Sequence, residues 1–135
     1  GAVIVSDGQI IGRGYNQVET LKDATAHAEM LALTAAQEFV EDWRLSECDL
    51  FVTKEPCPMC AGGIVHCRIG ALVYGCSSPK DGAAGGGFIN LLEQPTLNHR
   101  TEIRSGVLAD QSAQILRNFF QAARITSKEF DDQEN

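Results

Sequence analysis

The sequence has no long apolar run, few basic residues and no internal repeat. No apolar stretch of roughly 18 residues or more occurs, so no membrane-spanning helix is predicted. A secretory signal pattern is also absent. The 135 residues carry 11 basic and 18 acidic side chains, and the net charge of −7 argues against loose, non-specific binding to nucleic acid. A local basic face around one site is still compatible with this charge.

Cysteines are few, and their number is odd, which does not favour a disulfide scaffold. Five cysteines stand among many ordinary core residues, which is typical of a protein in a reducing compartment. The chain begins with Gly1 rather than Met, inside an apolar segment that predicts a strand already under way. We therefore expect that the sequence begins inside a longer native chain.

Segments with the apolar pattern of strands alternate along the chain with segments that have the pattern of helices, which predicts an α/β fold. Two apolar runs around Asp7 and Gly8 are the signature of a β-hairpin. The predicted elements are this hairpin at 1–15, helices at 24–40, 58–68 and 110–124, and strands at 48–54, 71–76 and 101–108. This order predicts a three-layer α/β/α sandwich with a mixed five-stranded sheet. We expect one domain over residues 1–128 and an acidic, frayed tail at 129–135.

Two cysteines, Cys57 and Cys60, lie three residues apart behind a proline. Alone, this spacing is compatible with a thioredoxin-like redox pair, with two buried helix cysteines or with part of a zinc site. His27 and Glu29, at the start of the first long helix, favour the zinc site. The two cysteines share one helix face, and His27 completes a His-Cys-Cys set of the kind that catalytic zinc accepts.

A structural zinc site would need a fourth cysteine or histidine, and no obvious candidate is present. Cys67 lies about two helical turns beyond Cys60. An open fourth position beside Glu29 instead indicates a metal-activated water with a proton carrier next to it. Zinc lowers the pKa of water from about 16 to about 7, which makes hydroxide available at neutral pH.

The pattern His-x-Glu followed by Pro-Cys-x-x-Cys resembles the signature of zinc-dependent nucleobase deaminases. Further segments, including "DATAHAEM", "VTKEPCPMCAGGI", "PKDGAAGG" and "LNHR", resemble the bacterial tRNA-specific adenosine deaminases of the TadA type. The resemblance implies a cytidine-deaminase-like fold, a homodimer and one Zn²⁺ per subunit. It also implies hydrolysis of the wobble adenosine of a tRNA anticodon stem-loop to inosine by zinc-bound hydroxide, with Glu29 as proton shuttle.

The resemblance also suggests which residues contact the substrate. Asn16 matches an asparagine that hydrogen-bonds the flipped nucleotide, although an ordinary turn asparagine is the alternative, and the main chain of Ala28 faces the base edge. The candidate RNA contacts are Lys80, His99, Arg100 and Phe120, together with Lys54. Lys54 stands at a position that is often apolar in the family, and a solvated lysine is its alternative. His99 has a loop-fixing role as its alternative, and we expect one of Phe119 and Phe120 in the core and the other exposed.

Three departures from the family pattern are visible. The family has a helix before its first strand, which this sequence lacks, so one sheet face is expected to be exposed. Ser78 stands where the family often has Asp, and the last helix lacks the usual arginine cluster.

Two other functions remain open from the sequence. The chain is alternatively a guanine, cytosine or free-nucleoside deaminase, or a non-catalytic, zinc-stabilised RNA-binding subunit. Glu29 argues against the second alternative, because binding alone needs no proton carrier. We expect a cytoplasmic protein, or one from an organelle of bacterial ancestry.

Overall fold

The structure, a computed structural model, describes the backbone of residues 1–134 and the side chains of residues 1–126. Its elements, in chain order, are β1 (Ala2–Ser6), β2 (Gln9–Gly14), α1 (Val18–Leu21), α2 (Ala28–Val40), β3 (Cys48–Lys54), α3 (Pro58–His66), β4 (Ala71–Cys76), a 3-10 turn (Leu91–Glu93), β5 (Glu102–Arg104) and α4 (Ala109–Glu134).

The strands form one mixed sheet in the order β2-β1-β3-β4-β5. β1 pairs antiparallel with both β2 and β3, whereas β4 pairs parallel with β3 and β5. In the hairpin turn Asp7 and Gly8 have φ values of 50° and 76°. Consecutive left-handed residues match the right-handed twist of the two strands, which explains the Asp-Gly pair. The predicted mixed five-stranded sheet is confirmed.

One face of the sheet carries the main core. Ile4, Leu50 and Leu72 are fully buried there and pack with Leu33 of α2 and Ile64 of α3. Each of these strand residues alternates along its strand with a residue on the opposite face, as the pleat requires. Helices α2 and α3 therefore form one outer layer.

Helix α4 forms the other outer layer and covers only part of its face. Val3, Phe51 and Val73 lie in one row across this face and line an open groove of about 640 Å³ with Leu108 and Ser112. Phe51 remains 39% exposed. The predicted three-layer sandwich is confirmed, with one face of its sheet partly uncovered.

Two glycines of β2 bring α2 to backbone contact with the sheet. A Cβ atom on Gly12 would lie 2.5 Å from the carbonyl oxygen of Ala32, and one on Gly14 would lie 2.1 Å from that of Ala28. Both distances are far below van der Waals contact. These glycines therefore allow the first turns of α2 to lie directly on the strand.

Substitution of Gly14 by alanine is expected to lower the free energy of unfolding by about 1–3 kcal/mol, because α2 must move away from the sheet. The matched control is Gly62→Ala in α3, where an added Cβ meets nothing within 4 Å. Alanine in that helix is expected to stabilise the protein by about 0.5–1 kcal/mol. Urea denaturation followed by circular dichroism measures both. Equal denaturation midpoints for the Gly14 variant and the wild type would contradict this account of the contact between β2 and α2.

The structure corrects several boundaries. α2 begins at Ala28 rather than residue 24, because Asp23 folds the preceding residues into a turn by accepting hydrogen bonds from the backbone and hydroxyl of Thr25 at 2.8 and 2.7 Å. The last strand is three residues long, since Gly106 and Leu108 have left-handed φ values of 74° and 52°. These values turn the chain away from the sheet.

The last helix differs most from its prediction. It begins at Ala109, so Asp110 lies inside its first turn and does not cap it, and it extends to Glu134 instead of ending near residue 124. Phe119 and Phe120 are 65% and 52% exposed, so the expectation that one of them lies in the core is wrong. Their rings contact edge to face, with centroids 5.4 Å apart.

The division of the chain at residue 129 stays a prediction. The backbone of the predicted tail is helical as far as Glu134, but the side chains of residues 127–135 lie outside the described residues. Within the part of the chain that the structure describes, no helix is both long and apolar enough to cross a membrane.

Candidate metal centre and active site

Two helices begin at the candidate ligands. His27 is the N-cap of α2 and Cys57 is the N-cap of α3, and both have extended backbones, with ψ values of 154° and 172°. Neither side chain makes a capping hydrogen bond to its own helix. Pro58 occupies the first helical position, where its missing N–H has no intrahelical partner to lose. The Sγ atom of Cys57 instead interacts with the thiol of Cys60 and with the ring of His27.

The structure brings His27, Cys57 and Cys60 together. The Nδ1 atom of His27 lies 3.5 Å from each Sγ atom, and all three ligand atoms lie within 4.8 Å of one another. Zn–S and Zn–N bonds of about 2.3 and 2.0–2.1 Å in a tetrahedron place sulfur and nitrogen about 3.6 Å apart. The spacing and the donor types therefore fit a zinc ion.

The charge around Cys60 also fits a cation. This side chain is fully buried, and burial is the largest cause that raises the pKa of its thiol, followed by the nearby charges of Glu29 and Cys57. Two sulfurs and a carboxylate in a buried place repel each other when charged. A divalent cation reverses this balance, because a coordinating thiol loses its proton.

Glu29 lies beside this group without belonging to it. Its side chain is 9% exposed and interacts electrostatically with Cys60, but its carboxylate is not one of the three converging donors. Among the described residues, no fourth histidine, cysteine or acid joins this group. Glu29 is therefore a buried carboxylate beside the three donors and not a fourth member of the group.

The two predicted substrate-binding residues lie near the start of α2. Ala28 is buried as its first residue, and the N–H at that position has no acceptor within the helix. Asn16 is exposed and its Oδ1 accepts the N–H of Val18 at 3.1 Å. Asn16 therefore does stabilise a turn, as its alternative role required. No described residue contacts the Nδ2 donor of Asn16, so a substrate contact stays a prediction.

Two candidate RNA contacts share a cleft beside the site. Lys54 and Lys80 are exposed and line a cavity of about 390 Å³ together with Ser78 and Asp81. The hydroxyl of Ser78 donates to the Asp81 carboxylate, and this bond is the main cause that lowers the pKa of Asp81; Lys54 and His27 lower it further. Asp81 therefore lies near both the basic cleft and the candidate metal centre.

The three remaining candidate RNA contacts, His99, Arg100 and Phe120, do not line this cleft. His99 is half-buried and its Nε2 donates to the carbonyl oxygen of Ile69 at 2.6 Å, which supports its alternative role in fixing the loop. Arg100 and Phe120 are exposed. Their proposed contacts with RNA are not tested by these positions.

Sequence reasoning missed one residue near the site, Glu55. It is 4% exposed, and its carboxylate accepts four backbone N–H groups from residues 78–87. A charged residue directly before Pro56 and Cys57, in a chain with a glycine-rich loop downstream, was the available signal. The pairing itself arises from long-range contacts.

Comparisons with known proteins agree on the family. A model of the MafB19-like deaminases matches residues 1–124. A tRNA-specific adenosine deaminase of Bacillus subtilis (strain 168) is 43% identical over 128 residues, which cover 95% of this chain and 79% of the relative.

Solved structures show the same likeness. One from a study of A-to-I editing by tRNA:A34 deaminases at the wobble position of transfer RNA has a TM-score of 0.81 and 43% identity, covering 85% of this chain and 83% of that chain. A guanine deaminase from Nitrosomonas europaea has a TM-score of 0.74 and 27% identity, covering 87% and 70%. The matched part of the chain contains both helix starts that form the candidate centre. The chain therefore belongs to the tRNA-specific adenosine deaminase family, within the MafB19-like deaminases.

Proposed function

We propose that this protein hydrolyses the wobble adenosine of a tRNA anticodon loop to inosine and ammonia. The observation that carries the proposal is the convergence of one imidazole and two thiols, with the buried carboxylate of Glu29 next to them. The names of the relatives supply the substrate class. A deaminase needs both a site for a cation and a proton carrier, and this centre offers both.

His27, Cys57 and Cys60 are proposed to hold one Zn²⁺ per subunit. When bound, zinc supplies a Lewis acid that lowers the pKa of water to about 7. The start of α3 contributes further, because its partial positive charge favours the thiolate forms of the two cysteines.

Glu29 is proposed to move protons during hydrolysis. Its carboxylate takes a proton from the attacking water and delivers it to the ring nitrogen next to carbon 6. It then takes the second proton, from the hydroxyl now on carbon 6, and delivers that proton to the leaving amine as the carbon–nitrogen bond breaks, which gives inosine and ammonia. The burial of Glu29 keeps bulk water from competing for that proton. The main chain of Ala28 and the amide of Asn16 are proposed to orient the flipped base, whose extrusion from a single-stranded loop costs only a few kcal/mol.

Variants at Asn16 separate its two possible roles. Asn16→Asp retains the oxygen that accepts the Val18 N–H but removes the amide donor. If the donor binds the nucleotide, both Asn16→Asp and Asn16→Ala are expected to raise KM for a stem-loop by about tenfold. KM values at two salt concentrations control for the added charge, because repulsion from RNA weakens as salt rises. A wild-type KM for Asn16→Asp at both concentrations would show that the residue serves only the turn.

RNA binding is proposed at the cleft beside the centre. Lys54 and Lys80 are exposed there and reach phosphate oxygens, and Arg100 is a further exposed cation. We also propose that the protein is a cytoplasmic homodimer, as the family resemblance implies.

The decisive experiment uses two anticodon stem-loops that differ only at the wobble position, adenosine in one and guanosine in the other. The zinc-loaded protein is expected to form inosine only from the first, as measured by nucleoside chromatography. Zinc content near one per chain is measured on the same sample. Unchanged adenosine in a fully zinc-loaded protein would overturn the proposal.

A guanine deaminase is the second candidate function. The likeness to the Nitrosomonas europaea enzyme favours it, although the identity is lower than to the tRNA deaminase relatives. Incubation with free guanine in the same experiment distinguishes the two. Xanthine formation without inosine formation would favour this second function.

A further inference from the structure

Glu55 occupies the junction between β3 and α3, two residues before Cys57. Its own backbone N–H donates to the carbonyl oxygen of Cys76 at the end of β4, at 2.9 Å. Its side chain is buried, with 4% of its surface exposed. A buried carboxylate is unfavourable unless hydrogen bonds replace the water that it has lost.

Backbone amides of a single loop provide those hydrogen bonds. Ser78 donates its N–H to Oε1 at 2.9 Å, while Ala84, Gly86 and Gly87 each donate to Oε2 at 3.0 Å. Among the described residues, neither of the two ion pairs involves this carboxylate. Successive amides that converge on one anion form a nest, and hydrogen bonds to an ionised acceptor are the stronger kind.

The glycines of the loop are shaped around this carboxylate. A Cβ atom on Gly82 would lie 2.3 Å from Cδ of Glu55, and one on Gly86 would lie 2.6 Å from its Oε1. A Cβ on Gly87 would lie 2.3 Å from the carbonyl oxygen of Gly82, within the loop itself. The glycine-rich sequence is therefore required by close packing.

The same loop forms a wall of the site. Ala83 donates its N–H to the carbonyl oxygen of Pro56 at 2.9 Å, directly before Cys57. Lys80 and Asp81 belong to the loop and line the cleft described above, and Asp81 lies close enough to His27 to interact with it electrostatically. Movement of the loop would therefore change the cleft that faces the RNA strand.

We propose that Glu55 is a positioning residue, whose carboxylate holds the loop of residues 77–88 as the wall of the RNA cleft. This inference rests on the proposed function. The carboxylate is not one of the three converging donors, and its described hydrogen bonds all come from this loop. Its loss is therefore expected to weaken RNA binding and to leave the rate of the chemical step nearly unchanged.

The test compares Glu55→Gln, Gly86→Ala and wild type, with Glu93→Gln as the matched control, since Glu93 is an exposed glutamate at the end of the same loop region. Gln keeps the shape of the side chain but turns an NH₂ group toward the amides. Gly86→Ala disturbs the same contact from the loop side, which keeps the proposal testable if the first variant does not fold.

Both site variants are expected to raise KM for the stem-loop by about tenfold, with kcat within about threefold of wild type and zinc content unchanged. Amide exchange measured by NMR is expected to accelerate by at least about tenfold at Ala84 and Gly87. In the double variant, Glu55→Gln with Gly86→Ala, the increase in KM is expected to be smaller than the two single effects combined, because both changes disturb the same contact. Glu93→Gln is expected to behave as wild type.

Three outcomes would overturn the proposal. Loss of zinc together with kcat would assign Glu55 to metal holding, and reduced stability with a wild-type KM would assign it to folding alone. Unchanged amide exchange would show that the carboxylate does not hold the loop. A wild-type protein that is inactive on the stem-loop would instead overturn the proposed function and the RNA role, while the exchange data would still decide whether Glu55 holds the loop.

Discussion

Glu29→Gln is expected to slow inosine formation by about 10²- to 10⁴-fold, the usual contribution of general acid–base catalysis. Glutamine has nearly the same shape as glutamate, so it preserves packing at this 9% exposed position, but it neither accepts nor releases a proton at neutral pH. Because Glu29 is not one of the three converging donors, zinc content is expected to stay near one per chain. Single-turnover assays with excess enzyme measure the chemical step directly.

The matched control for this variant is Glu38→Gln, an exposed glutamate on the same helix. It makes the same change in charge and is expected to retain wild-type activity. A Glu29→Gln protein that binds zinc and forms inosine at more than about a tenth of the wild-type rate would remove the proton carrier from the mechanism. A biological role that survived the loss of inosine formation in Glu29→Gln would instead favour the non-catalytic RNA-binding alternative.

The second large effect is expected from Cys60→Ser. Loss of an outer partner of a metal ligand alone costs about 10- to 100-fold in affinity or activity, so loss of a direct ligand is expected to cost more. Zinc retained after dialysis against a weak chelator and the initial rate of inosine formation are measured together. Zinc that binds only the folded state also stabilises it, so the melting temperature is expected to fall as well.

Two further variants make this result specific. His27→Ala removes the proposed ligand from the other helix, a half-buried side chain, and is expected to reproduce the loss of zinc. Cys76→Ser changes a cysteine outside the group, whose Sγ donates to the carbonyl oxygen of Thr53, and serine retains a donor there. That variant is expected to bind zinc normally. Full zinc content in Cys60→Ser would show that this thiol is not a ligand.

Local signals predicted the parts of this molecule that local chemistry determines. The Asp7-Gly8 pair determined the hairpin because its turn needs two left-handed residues, and Pro58 marked the start of α3 because only a first-turn position tolerates it. The convergence of His27 with Cys57 was inferred from what zinc accepts, and the structure shows the donors within reach. Here residue chemistry carried information about tertiary structure.

The missed features depend on contacts that no local pattern describes. Phe119 and Phe120 have helical spacing typical of a core face, yet both are exposed on α4. The carboxylate of Glu55 accepts hydrogen bonds from backbone amides 23 to 32 residues further along the chain. The glycine-rich sequence of their loop does not by itself indicate which anion these amides bind. Helix boundaries also shifted where a turn residue, Asp23, competed with helix propensity.

The contact of β2 with α2 has a consequence for how this scaffold changes over evolution. Where the two backbones touch at Gly12 and Gly14, no layer of side chains separates β2 from α2, so substitution cannot change the spacing of these elements without disrupting the contact. If the proposed role of the loop holds, changes in substrate preference are expected at its exposed positions, such as Lys80, and not at this contact. Selection on this enzyme is expected to retain these two glycines and the packed glycines of the loop, and to vary the exposed loop positions.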